Sequence, residues 1–145
     1  MATVTKIQDF SEQLGRGTHV FGTHVYKLAL CSAAPAATNT QLSNLTQIAY
    51  TNISGGVAPT VTITFSETGG TSTLAGDQVT ITATGTVPTF QYYALYNDTA
   101  TNKNLVCFWD HGSAVNLTTA GDTFVVKFNN ATTAGTILSF DLSTI

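Results

Sequence analysis

The residues of this chain that could do chemistry are three histidines, two cysteines and eight carboxylates. His19 and His24 stand five apart in a stretch that reads as extended, and such residues point to opposite faces of a strand. A metal ion asks for three or four ligands, so a two-histidine site would need carboxylates converging from elsewhere. Both read as turn and surface histidines. His111 follows Asp110 and would suit a catalytic pair, but Asp110-His111-Gly112 reads more simply as a turn at a strand end, with the carboxylate accepting backbone N–H groups. Cys31 and Cys107 lie inside apolar runs and read as buried thiols acting as small hydrophobes. A disulfide would need adjacent strands and an oxidising compartment. There is no Gly-x-Ser-x-Gly elbow. Gly15-Arg16-Gly17 is too short for a dinucleotide fingerprint. Asn97-Asp98-Thr99 matches one third of a calcium loop and lacks the later acids. The acids are spread thinly, without the close pair that glycoside hydrolysis uses. The residues therefore assign no catalytic, cofactor-binding or metal site. The chain is expected not to be an enzyme and to carry no cofactor.

The composition points the same way. Only 9% of the residues are charged, against about 25% in an average soluble domain. Threonine fills the gap, in runs such as Thr60-Val61-Thr62-Ile63-Thr64-Phe65 and Val79-Thr80-Ile81-Thr82-Ala83-Thr84. β-Branched residues suit a pleated strand and poorly suit a helix. A surface of hydroxyls and amides repels a neighbour of neither sign, so it fits a protein that sits against other protein. Five basic residues in a chain of net charge −3 form no patch for phosphates or anionic lipid. No apolar run approaches the ~20 residues of a membrane span. The segment Met1–Phe10 lacks a charged-then-apolar signal region, so the chain is expected to stay in the compartment where it is made. Five Asn-x-Ser/Thr sequons (Asn44, Asn52, Asn97, Asn116, Asn130) arise by chance in a chain rich in Asn and Thr.

The elements that would position any site are mostly strands. At 145 residues one domain is expected over residues 1–145, large enough for a core without staples. Residues 1–22 read as a helix and a lead-in. Ile7, Phe10 and Leu14 make a single apolar stripe on a helix over 7–15, closed by Gly15 and Gly17. A tandem echo follows, Gly17-Thr18-His19-Val20-Phe21 and Gly22-Thr23-His24-Val25-Tyr26. Its second copy opens a central strand, Thr23–Cys31, with Lys27 reaching solvent. Residues 41–48 carry Leu42, Leu45 and Ile48 at three-residue spacing, as one helical turn or an edge packed on the sheet. Further strands are expected over 60–66, 78–84, 90–97, 105–110, 114–117, 123–128 and 136–140. Turn signals divide them, among them Gly69-Gly70, Ala75-Gly76-Asp77 and His111-Gly112. Residues 90–97 and 105–110 should pair as an antiparallel hairpin. Its large aromatics on both faces require that one face make the core while a second element, or another chain, covers the other. Eight or so short strands of this kind describe an all-β antiparallel sandwich, jelly-roll-like, with high contact order and slow folding.

Two stretches carry a resemblance. One is Leu28-Ala29-Leu30-Cys31-Ser32-Ala33-Ala34-Pro35-Ala36-Ala37-Thr38-Asn39-Thr40, with Leu42 and Leu45 after it. The other joins Ala94-Leu95-Tyr96-Asn97-Asp98-Thr99-Ala100-Thr101-Asn102, Phe108-Trp109-Asp110-His111-Gly112-Ser113 and Ala120-Gly121-Asp122-Thr123-Phe124. With the N-terminal helix they make the chain resemble a family of small virion structural proteins of tailed bacteriophages, often encoded close to the major capsid protein. Its motifs are strands, turns and a Pro-bearing loop, so they specify a fold better than a role. The resemblance implies a capsid decoration or cement protein on the outer surface of the major capsid protein shell. Such a protein is made in the bacterial host cytoplasm, and homotrimers are expected at local symmetry axes. The segment Met1–Leu14 is the candidate for reaching the shell. The alternative is a tail-associated receptor- or glycan-binding module, with Trp109, Tyr92, Tyr93 or Tyr96 stacking on sugar rings. A third reading, a small hydrolase, requires Asp110 and His111 buried together beside a nucleophile.

Overall fold

In a computed structural model that describes residues 2–131 and 133–141, the pattern of alternating threonines and apolar residues becomes an antiparallel β-protein with one short α-helix. In chain order the elements are β1 (Thr3–Lys6), α1 (Phe10–Gly15), β2 (Tyr26–Cys31), β3 (Thr60–Val61), β4 (Ile63–Thr68), β5 (Thr71–Gly76), β6 (Val79–Thr82), β7 (Phe90–Asn97), β8 (Leu105–Val115), β9 (Thr123–Val126) and β10 (Gly135–Asp141). Single 3-10 turns sit at Leu42–Asn44 and Phe128–Asn130. The main sheet has the order β1-β8-β7-β2-β3. Smaller sheets, β10-β5-β4 and β6-β9, pack with it around a common core.

The aromatic hairpin is the centre of that core. β7 and β8 pair as expected, with Tyr93 opposite Trp109 and Ala94 opposite Phe108. Its aromatics are covered by this chain's own elements. Phe124 of β9 packs edge-on to Phe90 and Tyr93, and Phe128 lies against Trp109. A second ring cluster joins the layers elsewhere. Phe65 of β4 and Phe140 of β10 meet Phe21 and Phe10, which pack toward Tyr26 of β2. Each fully buried large side chain in these clusters contributes about 1.5–3 kcal/mol, and Phe65 and Phe140, which keep part of their surface in water, contribute less.

Several boundaries differ from expectation, each for a physical reason. The helix starts at Phe10, because Ile7 donates its N–H to the Val106 carbonyl and still belongs to the sheet. Before it lies β1, which the sequence reading placed in the helix and lead-in. β1 pairs with β8, with Val4 opposite Trp109. Residues 60–66 do not form one strand. Val61 pairs with Tyr26 in the main sheet, whereas Ile63 pairs with Gly76, so the chain changes sheets at Thr62. β5 went unforeseen because Leu74 is its only large apolar side chain. Gly69 and Gly70 do form the turn before it, both at positive φ, as a two-residue hairpin turn of that hand demands. Residues 105–110 and 114–117 are not separate strands. β8 runs through Asp110-His111-Gly112, and the extra residues form a bulge between the Tyr92–Asp110 and Phe90–Val115 pairs. Residues 41–48 contain both expected features, the 3-10 turn and a bridge from Gln47 to Cys31.

One contact fixes how β10 lies on the body. A Cβ at Gly135 would strike the Phe128 carbonyl, and one at Gly76 would meet the Phe128 ring. Ring atoms can rotate away, but the carbonyl is held in the 3-10 turn. Gly135→Ala is expected to cost about 3 kcal/mol, read as a lowered denaturant midpoint, and Gly76→Ala to cost less. Equal stability of the Gly135→Ala and native chains would contradict this packing.

Candidate functional site

The strongest concentration of buried polar groups lies where the lead-in loop meets the β7–β8 turn. Asn97 ends β7 and is 0% exposed. Its Oδ1 accepts the backbone N–H groups of Thr99 (3.1 Å) and Ala100 (3.2 Å). Its Nδ2 donates to the Thr18 carbonyl (3.0 Å) and to His24 Nδ1 (2.9 Å), with Tyr26 Oη at 3.4 Å. One amide thus shapes the turn and fastens a segment far away in sequence. Accepting at Nδ1 leaves the neutral His24 ring with its proton on Nε2, as a donor.

The two lead-in histidines correct the sequence reading. Residues 17–24 are not extended, since the Thr23 and His24 N–H groups both bond back to the Val20 carbonyl. His19 and His24 therefore converge on the Tyr26–Asn97 network instead of facing opposite ways. His19 is not a surface residue but 3% exposed, among the rings of Phe10, Phe21 and Tyr26. Its Nδ1 is 3.4 Å from Tyr26 Oη, and among the described residues its Nε2 has no hydrogen-bond partner. Burial, reinforced by His24, lowers its pKa to about 4, against a small opposing pull from Asp9.

The other candidates are accounted for by structure. Burial pushes the Cys31 thiol up to about 12 and raises Cys107 as well. Both are buried, with β7 lying between their strands. Burial would raise Asp98, but hydrogen bonds from Lys103 and Lys27 outweigh it and hold the carboxylate below its usual range. The two ammonium groups stand 2.9 and 3.1 Å from its oxygens, so the partial calcium motif is an ion-paired turn. Lys27 thereby ends on Asp98 instead of in open solvent. Asp110 accepts from Gln91 Nε2 (2.9 Å) and the Gly112 N–H (2.8 Å). The local bond read from the sequence is present, but inside a strand. His111 packs edge-on to Phe124 at 5.0 Å. Among the described residues, no three of His, Cys, Asp and Glu converge as metal ligands.

Two clefts open beside these elements. One, of about 420 Å³, lies between β1 and β9, with Val4 and Val125 among its lining residues and Trp109 and Tyr93 among its aromatics. Trp109 is only 6% exposed, stacked on Tyr93 at 5.5 Å, so its face is not presented to a ligand. The other, of about 500 Å³, is lined by Asp9 and Gln13 from α1 and the residue before it, Thr18 and His24 from the lead-in, Thr40 and Gln41, and Thr99–Asn102 and Asn104 of the β7–β8 turn. No lysine or arginine lines it, since Lys103 of the same turn is held on Asp98.

Fold and site together define an antiparallel, sandwich-like β-domain with a buried amide–imidazole network and a polar cleft above it. Comparison of the chain with protein-family models, with curated proteins and with solved structures finds no match.

Proposed function

We propose that this chain is a decoration or cement protein of a bacteriophage capsid, binding the outer surface of the major capsid protein shell. The observation that carries the reading is β4. This edge strand of the smaller sheet is exposed along Thr64–Thr68, with Phe65 44% exposed and Glu67 as its only charge. An outer strand with an unpaired edge, open faces and little charge is the kind that another protein covers. The low charge of the whole chain and its resemblance to phage virion proteins support the same reading. The mechanism is linkage: a protein that binds only the assembled shell stabilises it by mass action, and several contacts per oligomer add avidity.

The N-terminal segment is a poor candidate for the reaching arm. Residues 3–6 are sewn to β8, and Ile7 and Phe10 are buried. Deleting residues 1–14 would remove core, so the test uses point variants. Purified chain is mixed with capsids lacking it and sedimented. Saturable binding at a copy number fixed by the capsomer lattice is expected, with Ser66→Arg, at an exposed position of β4, lowering occupancy at unchanged fold. A handful of copies per virion would place the chain on the tail, and absence of binding would reject both locations. Of the rings named for stacking on sugars in the tail reading, Trp109, Tyr93 and Tyr96 are buried and Tyr92 is half-buried.

A further inference from the structure

We infer that the polar cleft between α1, the lead-in loop and the β7–β8 turn is a binding site for a neutral, polyhydroxylated ligand, that is, a saccharide. The inference is independent of the shell-binding face, which uses other residues.

Asn104 points to a ligand. The residue is 7% exposed, it lines the cleft, and its side-chain amide has no protein partner among the described residues. Its backbone is meanwhile fixed, because the Asn104 carbonyl accepts the Asn97 N–H at 2.9 Å. A largely buried amide held in place beside one cavity offers its donors and acceptor there already oriented, so a ligand that replaces water on it gives up little side-chain freedom.

The groups around it are of matching kind. The Asp9 carboxylate lies at the start of α1 and makes no side-chain capping bond, leaving two oxygens to accept. Gln13 accepts the Thr18 hydroxyl at Oε1 (2.8 Å), so its NH2 remains to donate. His24, held through Nδ1 by Asn97, keeps a donor at Nε2. Acceptors and donors in one cleft suit hydroxyl groups, each of which donates and accepts. A vicinal diol can give both protons to one carboxylate.

The charge selects against the alternatives. With a carboxylate in the cleft and no lysine or arginine lining it, phosphate or an acidic sugar would face Asp9 without a counter-ion. An apolar ligand would bury Asp9, Gln13 and the asparagines unmet. The volume falls within the ~300–1,000 Å³ of small-molecule sites. Asn97 pre-arranges both walls at once, since one side chain fixes the His24 ring and the Thr99–Ala100 turn. Pre-arranged groups lower the cost of binding.

The test is two-dimensional amide NMR of the full chain with neutral probes: glucose, galactose, mannose, rhamnose and N-acetylglucosamine, then neutral oligosaccharides built from them. At least one is expected to bind saturably with a Kd on the order of 1 mM or tighter, shifting the side-chain amide of Asn104 and the backbone signals of residues 9–24 and 99–104. Asn104→Ala and Gln13→Ala should each weaken binding about tenfold, with spectra that otherwise overlay on the native chain. Inorganic phosphate should not compete. No saturable shift with any neutral probe overturns the proposal. So do shifts confined to the Trp109 cleft, competition by phosphate, or undiminished binding by both variants. None of these outcomes touches capsid sedimentation, so the two proposals fail separately.

Discussion

Replacing Asn97 with leucine is expected to destabilise the chain by more than about 3 kcal/mol, the sum of several buried groups left without partners at ~1–3 kcal/mol each. The leucine fills a similar space but leaves the Thr99 and Ala100 N–H groups, the Thr18 carbonyl and His24 Nδ1 unmet. Guanidinium unfolding measures the loss. Hydrogen exchange should localise it, because backbone amides of residues 18–24 and 99–104 ought to exchange faster than those of β2 and β7 well before global unfolding. Saccharide binding should vanish in the same variant. A loss below about 1 kcal/mol would mean that water replaces the amide at little cost, and the description of Asn97 as the joint between the two segments would fall.

Acid should weaken the fold through His19, and the sign follows from its surroundings. Its pKa is about 4 in the folded chain against 6.5 for the free side chain. The unfolded state therefore binds the proton first. Above pH 6.5 the ring is neutral in both states and the fold keeps its full stability. As pH falls from 6.5 toward 4 the unfolded chain gains protons that the folded one refuses, and stability drops by roughly 2–3 kcal/mol. The groups facing the ring are Phe10, Phe21, Tyr26, His24 and Asp9. Asp9 alone opposes the effect. Below this window Asp98 adds its own loss as the ion pairs with Lys27 and Lys103 are protonated away. His19→Phe should flatten the upper window, because the new ring packs among the same aromatics and removes the unpartnered Nε2. Denaturant midpoints at pH 7, 5 and 4 for both chains decide it. Parallel pH profiles would assign the acid sensitivity elsewhere.

How far the fold could be read from residues depended on how many large apolar side chains a strand carries. β7 was legible to its ends because Phe90–Asn97 is dense in large apolar residues, nearly all buried, and a polar turn follows. β5 was not, since Thr71–Gly76 offers only Leu74 to the core and its partners lie across two strands. Gly112 was read as a stop and is a bulge instead. A positive φ of 89° bends a strand as readily as it ends one. The candidate site was less legible. The parity rule placed His19 and His24 on opposite faces, and it failed because a turn through Val20 breaks the extended backbone. Asn97 passed as an ordinary turn residue, and as one sequon among five. The available signal was its place, an Asn-Asp-Thr turn closing an aromatic strand, but nothing local shows that its other end holds a loop from residues 18–24. Long-range hydrogen bonds of that kind leave no periodic trace.

The pairing of β1 with β8 bears on how the protein is made. Thr3 sits opposite Asp110, so β1 leaves the ribosome long before the neighbour it pairs with. β2 waits likewise for β7. The nascent chain can close the β4–β5 hairpin on its own, but the main sheet assembles only around the late β7–β8 hairpin. A polypeptide stalled before residue 105 would hold β2, with its apolar Leu28 and Leu30, and the exposed β7 rings with no β8 to join them. Such intermediates are targets for chaperones and proteases, and a synonymous-codon change that slows synthesis just upstream of β8 should reduce yield without altering one residue of the product.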